Sequence, residues 1–386
     1  MADGVANQNI LIVAGETSGD MLAAHVLAGL RQAGCMLTAW GVGGPALSAQ
    51  GLECVASIDQ LAVRGYAEVL GALPRLWHLR KTLMSEAVSR KPLLCITVDA
   101  PDFNLVLAAK MKALGIPTVH FISPSIWAWR KERLGGIKAA VDHMICVFPF
   151  EPEIYAHVGM SASYVGHPMA QAVPDQIDHA GARAQLGLNQ SHIVALLPGS
   201  RASEVRYILP RMLAAAKLML ASQPDLQLIL PIAAQGLRPL IEGLVASSGL
   251  KVQLTDGKAY IALSAAHVGM VASGTATLEA ALYRLPMVIT YAMPRSSWAM
   301  MGHKGYLPWV GLPNILANEW LVPELLQDAA TPEALARETL ALLADPQRCA
   351  SLQVRFQQIH ASLKTDTAAL AARAILRMLP NHGVIL

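Results

Sequence analysis

Charge is scarce in this sequence. Of its 386 residues only 15% are Asp, Glu, Lys or Arg, where roughly 25% is usual for a soluble protein, and 54% are apolar. Such a balance excludes a disordered chain and calls either for extensive burial or for an apolar partner. Long apolar runs are missing as well. The longest stretch without a formal charge, Ala259 to Leu278, is interrupted by Ser264, His267, Gly269, Ser273, Gly274, Thr275 and Thr277. It therefore suits a helix, a strand and a loop of an α/β domain, whereas a membrane span needs ~18 or more uninterrupted apolar residues. The opening MADGVANQN has no basic start and no apolar run, so no secretory signal is expected and the cytosol is the expected compartment. No two of the five cysteines (Cys35, Cys54, Cys95, Cys146, Cys349) form a C-x-x-C pair, and Cys95 and Cys146 lie in apolar strand-like runs, which predicts reduced, buried thiols.

Several chemistries are missing too. No D-x-D occurs and the histidines show no ligand-like clustering, so neither a metal site nor a divalent ion on a diphosphate is indicated. The P-loop and G-x-S-x-G patterns are absent, which sets aside Walker-type phosphoryl transfer and serine hydrolysis. A net charge of +3 over this length gives no reason to expect nucleic acid.

The chain does carry a regular alternation of short β-branched runs with longer helical patterns, the mark of parallel βαβ units. At about 150 residues per domain its length predicts two to three domains. Strands are expected at Asn9 to Ala14, Leu37 to Val42, Leu93 to Val98, Thr118 to Ile122, His143 to Val147 and Ser163 to Val165, with the first helix from Met21 to Ala33. The rhythm lapses between Met169 and Gln190 and resumes with strands at Ile193 to Leu197, Leu226 to Pro231, Val252 to Leu254, His267 to Ala272 and Met287 to Tyr291. From Thr331 the pattern is helical only. The expected architecture is α/β: a Rossmann-like domain over 1–168, a second over 190–345, and a helical tail, 346–386, packing back on the N-terminal domain. Ligands of such folds sit at the carboxyl ends of the strands, here in a cleft between the two domains.

Four strand exits carry residues suited to chemistry. Gly15-Glu16-Thr17-Ser18-Gly19-Asp20 leaves the first strand and opens a helix, where a phosphate or sugar could dock on free amides; alternatively it is a tight turn capped by Ser18 or Asp20. Leu196-Leu197-Pro198-Gly199-Ser200-Arg201 offers a flexible backbone, a hydroxyl and a guanidinium suited to phosphate oxygens. Ser273-Gly274-Thr275 repeats the theme at another helix start, and Glu279, one turn beyond Thr275, could accept both hydroxyls of a ribose. Two such loops on one parallel sheet describe a nucleotide site. With no metal, a departing diphosphate would depend on Arg201 and the two helix starts. In Val98-Asp99-Ala100-Pro101-Asp102-Phe103 two carboxylates appear as a buried strand ends; Asp99 is read as a general base and Asp102 as structural support. Gly41 to Ala46 fits G-x-G-x-x-A but follows the second strand, and a turn is the better reading.

Two further segments stay open on residues alone. Ser123 to Arg130, followed by Lys131, Arg133 and Lys138, is either an aromatic substrate wall with a basic edge or core plus solvated charge. From Arg64 to Lys91, Arg64, Arg75, Arg80, Lys81, Arg90 and Lys91 are interleaved with Tyr66, Val69, Leu70, Leu73, Leu76, Trp77 and Leu83. Such a face suits a membrane interface or acyl chains, or simply a core-packing helix.

The blocks GETSGD (15–20), VDAPDF (98–103), SPSIWAWR (123–130), PFEPEIY (149–155), VGHPM (165–169), LLPGSR (196–201), SGTATLEA (273–280) and GLPNILA (311–317) together resemble the lipid-A-disaccharide synthase family, in order and over nearly the whole chain. The resemblance implies a GT-B glycosyltransferase, two Rossmann-like domains facing a cleft with a helical C-terminal tail. It implies an inverting reaction that joins UDP-2,3-diacylglucosamine to 2,3-diacylglucosamine 1-phosphate (lipid X), giving a β-1,6-linked tetraacyl disaccharide 1-phosphate and UDP in lipid A biosynthesis, with no cofactor. Asp99 matches the family's catalytic aspartate, Ser18 its loop beside the reacting sugar, and Arg201, Glu279 and Asn314 its positions toward UDP; Ser200, Gly274 and Thr275 join them from the residue reading. Acylated substrates favour the membrane reading of Arg64 to Lys91, hence a peripheral protein on the cytoplasmic face of the inner membrane. Arg295 to Trp309, with Trp298, Met300, Met301 and Lys304, is a second region that could meet lipid. A homodimer through the helical tail remains an option. Competing readings are another GT-B UDP-sugar enzyme (an epimerase, or a transferase with a soluble acceptor), a dinucleotide oxidoreductase using Gly41 to Ala46, and a membrane-associated scaffold.

Overall fold

The computed structural model describes residues 8–35, 37–61, 66–129, 131–189, 192–301 and 307–379, with backbone alone at 66–72, 129, 131 and 299–301. The chain divides into two compact units, Met1–Pro168 with Leu363–Leu386, and Met169–Ser362. The tail expected over 346–386 is thus divided: the helix Pro346–Leu363 lies almost wholly in the second unit, and the helix Thr367–Leu376 packs on the first helix of the first unit, where Gly29 approaches Ala372.

In the first unit seven parallel strands, β1 (Asn9–Ala14), β2 (Thr38–Gly43), β3 (Leu52–Ser57), β4 (Cys95–Val98), β5 (Thr118–Phe121), β6 (His143–Cys146) and β7 (Ser161–Tyr164), pair in the order β3-β2-β1-β4-β5-β6-β7. The strands are so apolar because helices cover the sheet on both faces and most strand residues are buried. Cys95 and Cys146 sit in this sheet as free, fully buried thiols, and burial pushes Cys95 up to about 12. Among the helices, α1 (Thr17–Gln32), α2 (Pro45–Ala49), α3 (Tyr66–Arg90) and α4 (Pro101–Ala113) matter for the site. The chain runs outward from β1 to β3 and then returns to β4, so β1 and β4 are neighbours whose onward connections lead to opposite edges of the sheet. That is the switch point where parallel α/β sheets bind ligands.

The second unit repeats the plan with six strands, β8 (Ile193–Leu197), β9 (Gln227–Ile232), β10 (Val252–Asp256), β11 (Val268–Ala272), β12 (Met287–Tyr291) and β13 (Glu324–Leu326), ordered β10-β9-β8-β11-β12-β13. Its switch point lies between β8 and β11. The uncharged stretch from Ala259 is the helix Ala259–Ala265, then β11, then the start of the helix Thr275–Leu282. No helix among the described residues is long and apolar enough to cross a membrane.

Two edge elements, β3 and β13, were not expected. Leu52–Ser57 alternates poorly and Glu324–Leu326 is three residues long, so neither carries a periodic signal. Helix α1 starts at Thr17, four residues earlier than its apolar pattern, because the polar Thr17-Ser18-Gly19-Asp20 forms its first turn.

His120 of β5 is fully buried, its Nδ1 2.8 Å from the Thr97 hydroxyl, and burial pushes it down to about 3. The unfolded chain, at the ordinary value of 6.5, therefore binds this proton first, and stability is lost as pH falls from 6.5 toward 3. By pH 5 the loss from His120 is about 2 kcal/mol. Replacing His120 by Leu should flatten the acid limb of urea-unfolding free energy against pH by that amount; an unchanged slope would refute it.

Candidate functional site

At the first unit's switch point the exits of β1 and β4 are pressed together. The Gly15 amide donates to Val98 O at 3.1 Å, and a Cβ on Gly15 would come within 2.1 Å of the Ala100 Cβ. Asp99 and Ala100 take left-handed φ values of 57° and 42°, which cost energy in residues with a Cβ and persist only where surroundings enforce them. Enforcement comes from the Asp99 amide, which donates to Phe121 O at 3.0 Å, and from the buried Asn104, whose Nδ2 donates to Asp99 O at 2.8 Å and Val98 O at 3.2 Å. The Asp99 carboxylate is left half-buried with one described protein donor, the adjoining Ala100 amide at 2.8 Å. Burial pushes its pKa up and that single amide opposes the shift.

Its neighbours in sequence are differently employed. Asp102 is exposed and pairs with Arg133 at 2.9 Å, the structural role expected of it. Asp20 is buried, and its two oxygens accept from the amides of Gly44 (2.7 Å), Ala46 (2.9 Å) and Leu47 (3.2 Å). Asp20 therefore caps α2 rather than its own helix, and it fills the amide nest that a dinucleotide phosphate would need in Gly41 to Ala46. Ser18 is exposed in the first turn of α1, whose Gly19 lies against Val98 and Asp99.

Beside β4, the exits of β5 and β6 are tied by Glu151. This fully buried carboxylate accepts from the Trp127 indole (3.1 Å) and the amides of Val147 (3.2 Å) and Phe148 (3.0 Å). Burial pushes it up to about 7 against those donors. Trp127 packs edge-on against Phe148 and Phe150, so the SPSIWAWR segment is core at Trp127 and not an open wall. Lys138 donates to Val158 O; Arg130 and the side chains of Trp129 and Lys131 lie outside the described residues.

In the second unit the exits of β8 and β11 are adjacent, as a nucleotide site requires. Gly199 takes a φ of 110° that brings the loop back over its helix, and Glu204 accepts from the amides of Ser200 (3.0 Å) and Arg201 (3.2 Å). These two amides, expected to face phosphate, are thus occupied by a carboxylate. What remains toward solvent is the exposed Ser200 and the Arg201 side chain, 77% exposed, which touches Glu204 at 3.0 Å. Gly274, φ 143°, has open space where a Cβ would stand, and Thr275 beside it is exposed. Glu279 is half-buried, its carboxylate has no hydrogen-bond or ionic partner among the described residues, and burial raises its pKa.

Asn314 is fully employed within the protein. The resemblance puts it toward UDP, but its side chain is fully buried and fully used: Nδ2 donates to Val322 O (2.9 Å) and Glu324 Oε1 (2.8 Å), and Oδ1 accepts from the amides of Leu321 (2.9 Å) and Val322 (2.8 Å). Glu324 also accepts from the amides of Val310 and Gly311, while Ser273 donates to Val310 O and Thr277 accepts from the Leu312 amide. Asn314 and Glu324 thus hold the loop that supports Ser273 to Thr277. Glu204 could have been found from its place three residues into the helix. Glu324 gives no such signal, because its partners are ten or more residues away.

Among the described residues no three His, Cys, Asp or Glu side chains group closely enough to hold a metal ion.

The two switch-point sheets define the class, the GT-B fold of two parallel α/β domains. UDP-GlcNAc 2-epimerase from Neisseria meningitidis, solved bound to UDP-GlcNAc, matches with a TM-score of 0.62 at 12% identity over 96% of this chain and 99% of that one. A glycosyltransferase from Rickettsia africae matches with a TM-score of 0.57 at 12% identity over 98% and 100%. At such identities the likeness carries the fold alone. The sequence carries more. The family described as lipid-A-disaccharide synthetase matches residues 10–377. Lipid-A-disaccharide synthases of Methylobacillus flagellatus and Cupriavidus pinatubonensis are 46% and 47% identical, covering 95% and 97% of this chain and 98% and 94% of theirs. The chain belongs to the lipid-A-disaccharide synthetase family, a glycosyltransferase family of lipid A biosynthesis, and the epimerase and soluble-acceptor readings are not favoured.

Asn314 and Arg201 should separate in their effects. Asn314→Ala strands the buried Glu324 oxygen and two amides and is expected to cost about 3 kcal/mol of stability. Arg201→Ala removes an exposed pair worth under about 1 kcal/mol and should instead weaken UDP binding. Denaturant melts and UDP calorimetry on both variants check this; equal melts would remove the structural role from Asn314.

Proposed function

We propose that the chain is an inverting glycosyltransferase that joins UDP-2,3-diacylglucosamine to 2,3-diacylglucosamine 1-phosphate, with Asp99 as general base. The acceptor 6-hydroxyl gives its proton to Asp99 as its oxygen attacks the donor anomeric carbon. The bond from that carbon to the diphosphate breaks, and UDP leaves from the opposite face. One in-line displacement turns an α-linked donor into a β-linked product, with no covalent sugar on the protein. Arg201, Ser200 and the amides at Gly274 and Thr275 take the leaving diphosphate, Glu279 takes the ribose hydroxyls, and Ser18 lies by the reacting sugar.

The observation that carries this reading is the state of the carboxylates. Asp99 and Glu279 are half-buried and nearly or wholly without protein donors, whereas Asp20, Glu151, Glu204 and Glu324 at other loops are spent on amides. Burial without compensation raises proton affinity, which suits a base.

Asp99→Asn should lower turnover by a factor of about 10² to 10⁴ while leaving UDP affinity in place. Because only the ionised carboxylate accepts the proton, kcat/KM should fall with decreasing pH through a value above the ordinary 3.8 of an aspartate. Rates from UDP release across pH, beside UDP calorimetry, are the measurement; turnover retained in Asp99→Asn would dismiss Asp99 as base.

We also propose that the N-terminal half of α3 rests on a lipid surface, the cytoplasmic face of the inner membrane. Leu79, Leu83 and Ala87 face the core, but Leu73 and Trp77 stand 51% and 62% exposed, with Lys81 over the Trp77 ring at 5.6 Å and Arg75 exposed alongside. Apolar side chains fringed by cations suit an anionic bilayer. Arg64, Lys304 and the side chains of Tyr66, Val69, Leu70, Met300 and Met301 fall outside the described residues. Leu73→Ser with Trp77→Ser should markedly reduce cosedimentation with anionic vesicles; undiminished sedimentation would exclude this face.

A further inference from the structure

Thr275, Glu279 and Tyr283 succeed one another at intervals of four residues along the helix Thr275–Leu282 and its C-cap. Tyr283 still obeys the helical geometry, because its amide donates to Glu279 O at 3.0 Å. Residues so spaced fall along one side of a helix, each about 6 Å further from its start. The three therefore form a line: a hydroxyl beside Gly274, a carboxylate one turn on, and an aromatic ring one turn beyond that. Burial raises the Tyr283 phenol, and the nearby Glu279 carboxylate adds to the shift.

A second ring joins the far end of this line. β10 leaves its sheet through Gly257 and Lys258, with left-handed φ values of 55° and 50°, and enters at once the helix Ala259–Ala265, which packs on β9 and β8. Although β10 is separated from β11 by β9 and β8, the return of this helix across them brings Tyr260, its second residue, to the helix that bears Glu279. The Tyr260 ring centre lies 6.2 Å from that of Tyr283, with 27° between the ring planes. Tyr260 is 43% exposed, whereas Tyr283 is half-buried. A lone exposed tyrosine is ordinary. Here one ring backs the other, and the outer one keeps much of its surface in water.

A nucleoside diphosphate carries its groups in the same order. Its phosphates are followed by a ribose with two hydroxyls and then by a planar base. With the phosphates at Gly274 and the ribose at Glu279, the base arrives at the level of the tyrosine pair. Every base has a π-face and gains affinity by stacking on an aromatic side chain.

We infer that Tyr260, backed by Tyr283, is the platform on which the nucleobase of the sugar donor stacks. The inference rests on the reading of Glu279 as the acceptor of the ribose hydroxyls.

The full-length protein is titrated calorimetrically with UDP and with ribose 5-diphosphate, which keeps the phosphates and the ribose hydroxyls but has no base. Tyr260→Ala should weaken UDP binding roughly 5- to 100-fold, the span of one base stacked on an aromatic ring, and should leave ribose 5-diphosphate binding unchanged. Tyr260→Phe keeps the ring and should bind UDP as the unaltered protein does. Equal weakening of both ligands by Tyr260→Ala would mean that the tyrosine only props the helix bearing Glu279, and undiminished UDP binding would mean that no base reaches it; either outcome overturns the inference. So would a loss in Tyr260→Phe equal to that in Tyr260→Ala, which would assign the effect to the hydroxyl and not to the ring. An unaltered protein that binds UDP no better than ribose 5-diphosphate would sink the inference and leave the reading of Glu279 standing, whereas one that binds neither ligand would refute both.

Discussion

The space between Gly15 and Ala100 is too small for one additional carbon atom, and the first unit's candidate site is organised around that closeness. Two strands leave a parallel sheet as neighbours, and their loops would diverge were they not drawn together by the Gly15 amide on Val98. The approach forces Asp99 and Ala100 into left-handed backbone, which directs the Asp99 side chain away from the strand's regular alternation. Asn104 then fixes the turn from beneath with a buried amide. Any side chain at residue 15 would have to push Ala100 aside, so the smallest residue and the strained pair form one device.

The same logic recurs at the other loops with carboxylates in place of glycine. Asp20 gathers three amides at the start of α2, Glu151 two amides and an indole beside β6, Glu204 two amides after β8, and Glu324, the first residue of β13, two amides and the Asn314 side chain. Each is an anion satisfied by several donors, which makes a loop rigid without a large apolar core beneath it. In a chain so poor in charge, most acids at strand exits are fasteners. That makes Asp99 and Glu279 conspicuous, for they share the position without the partners.

Much of this is legible in the amino-acid sequence. The strands of both sheets other than the edge strands β3 and β13, the order of the strand-exit motifs and the pairing of the Ser200 and Gly274 loops on adjacent strands follow from apolar periodicity and from glycine at chain reversals. What periodicity does not encode is which donor a carboxylate will find. Glu204 reads simply as a helix start until Gly199 folds the loop back on it. Asn314 matches a ligand position by resemblance, yet its partners, Leu321, Val322 and Glu324, are reached only through tertiary packing. The α3 segment divides for the same reason. Its apolar residues share a helical spacing, but only those facing α4 and the sheet are buried, so Leu83 is core while Trp77, six residues earlier, is exposed.

Desolvation links these observations. Withdrawing a charge from water costs free energy, and the protein recovers it at Asp20, Glu204 and Glu324 with donors of its own. At Asp99 a single amide offsets it and at the Glu279 carboxylate no described donor does, and each of the two follows a strand at a sheet's switch point. For stability alone an apolar residue of similar size would be cheaper to bury. Under the proposed function the compensation comes from substrate: a hydroxyl proton for Asp99 and a pair of hydroxyls for Glu279. Both proposed roles suit one pair of substrates, an acceptor alcohol and a donor that bears a nucleoside. The carboxylates that are fully satisfied, Asn314 with them, belong to the scaffold that keeps the unsatisfied ones in place.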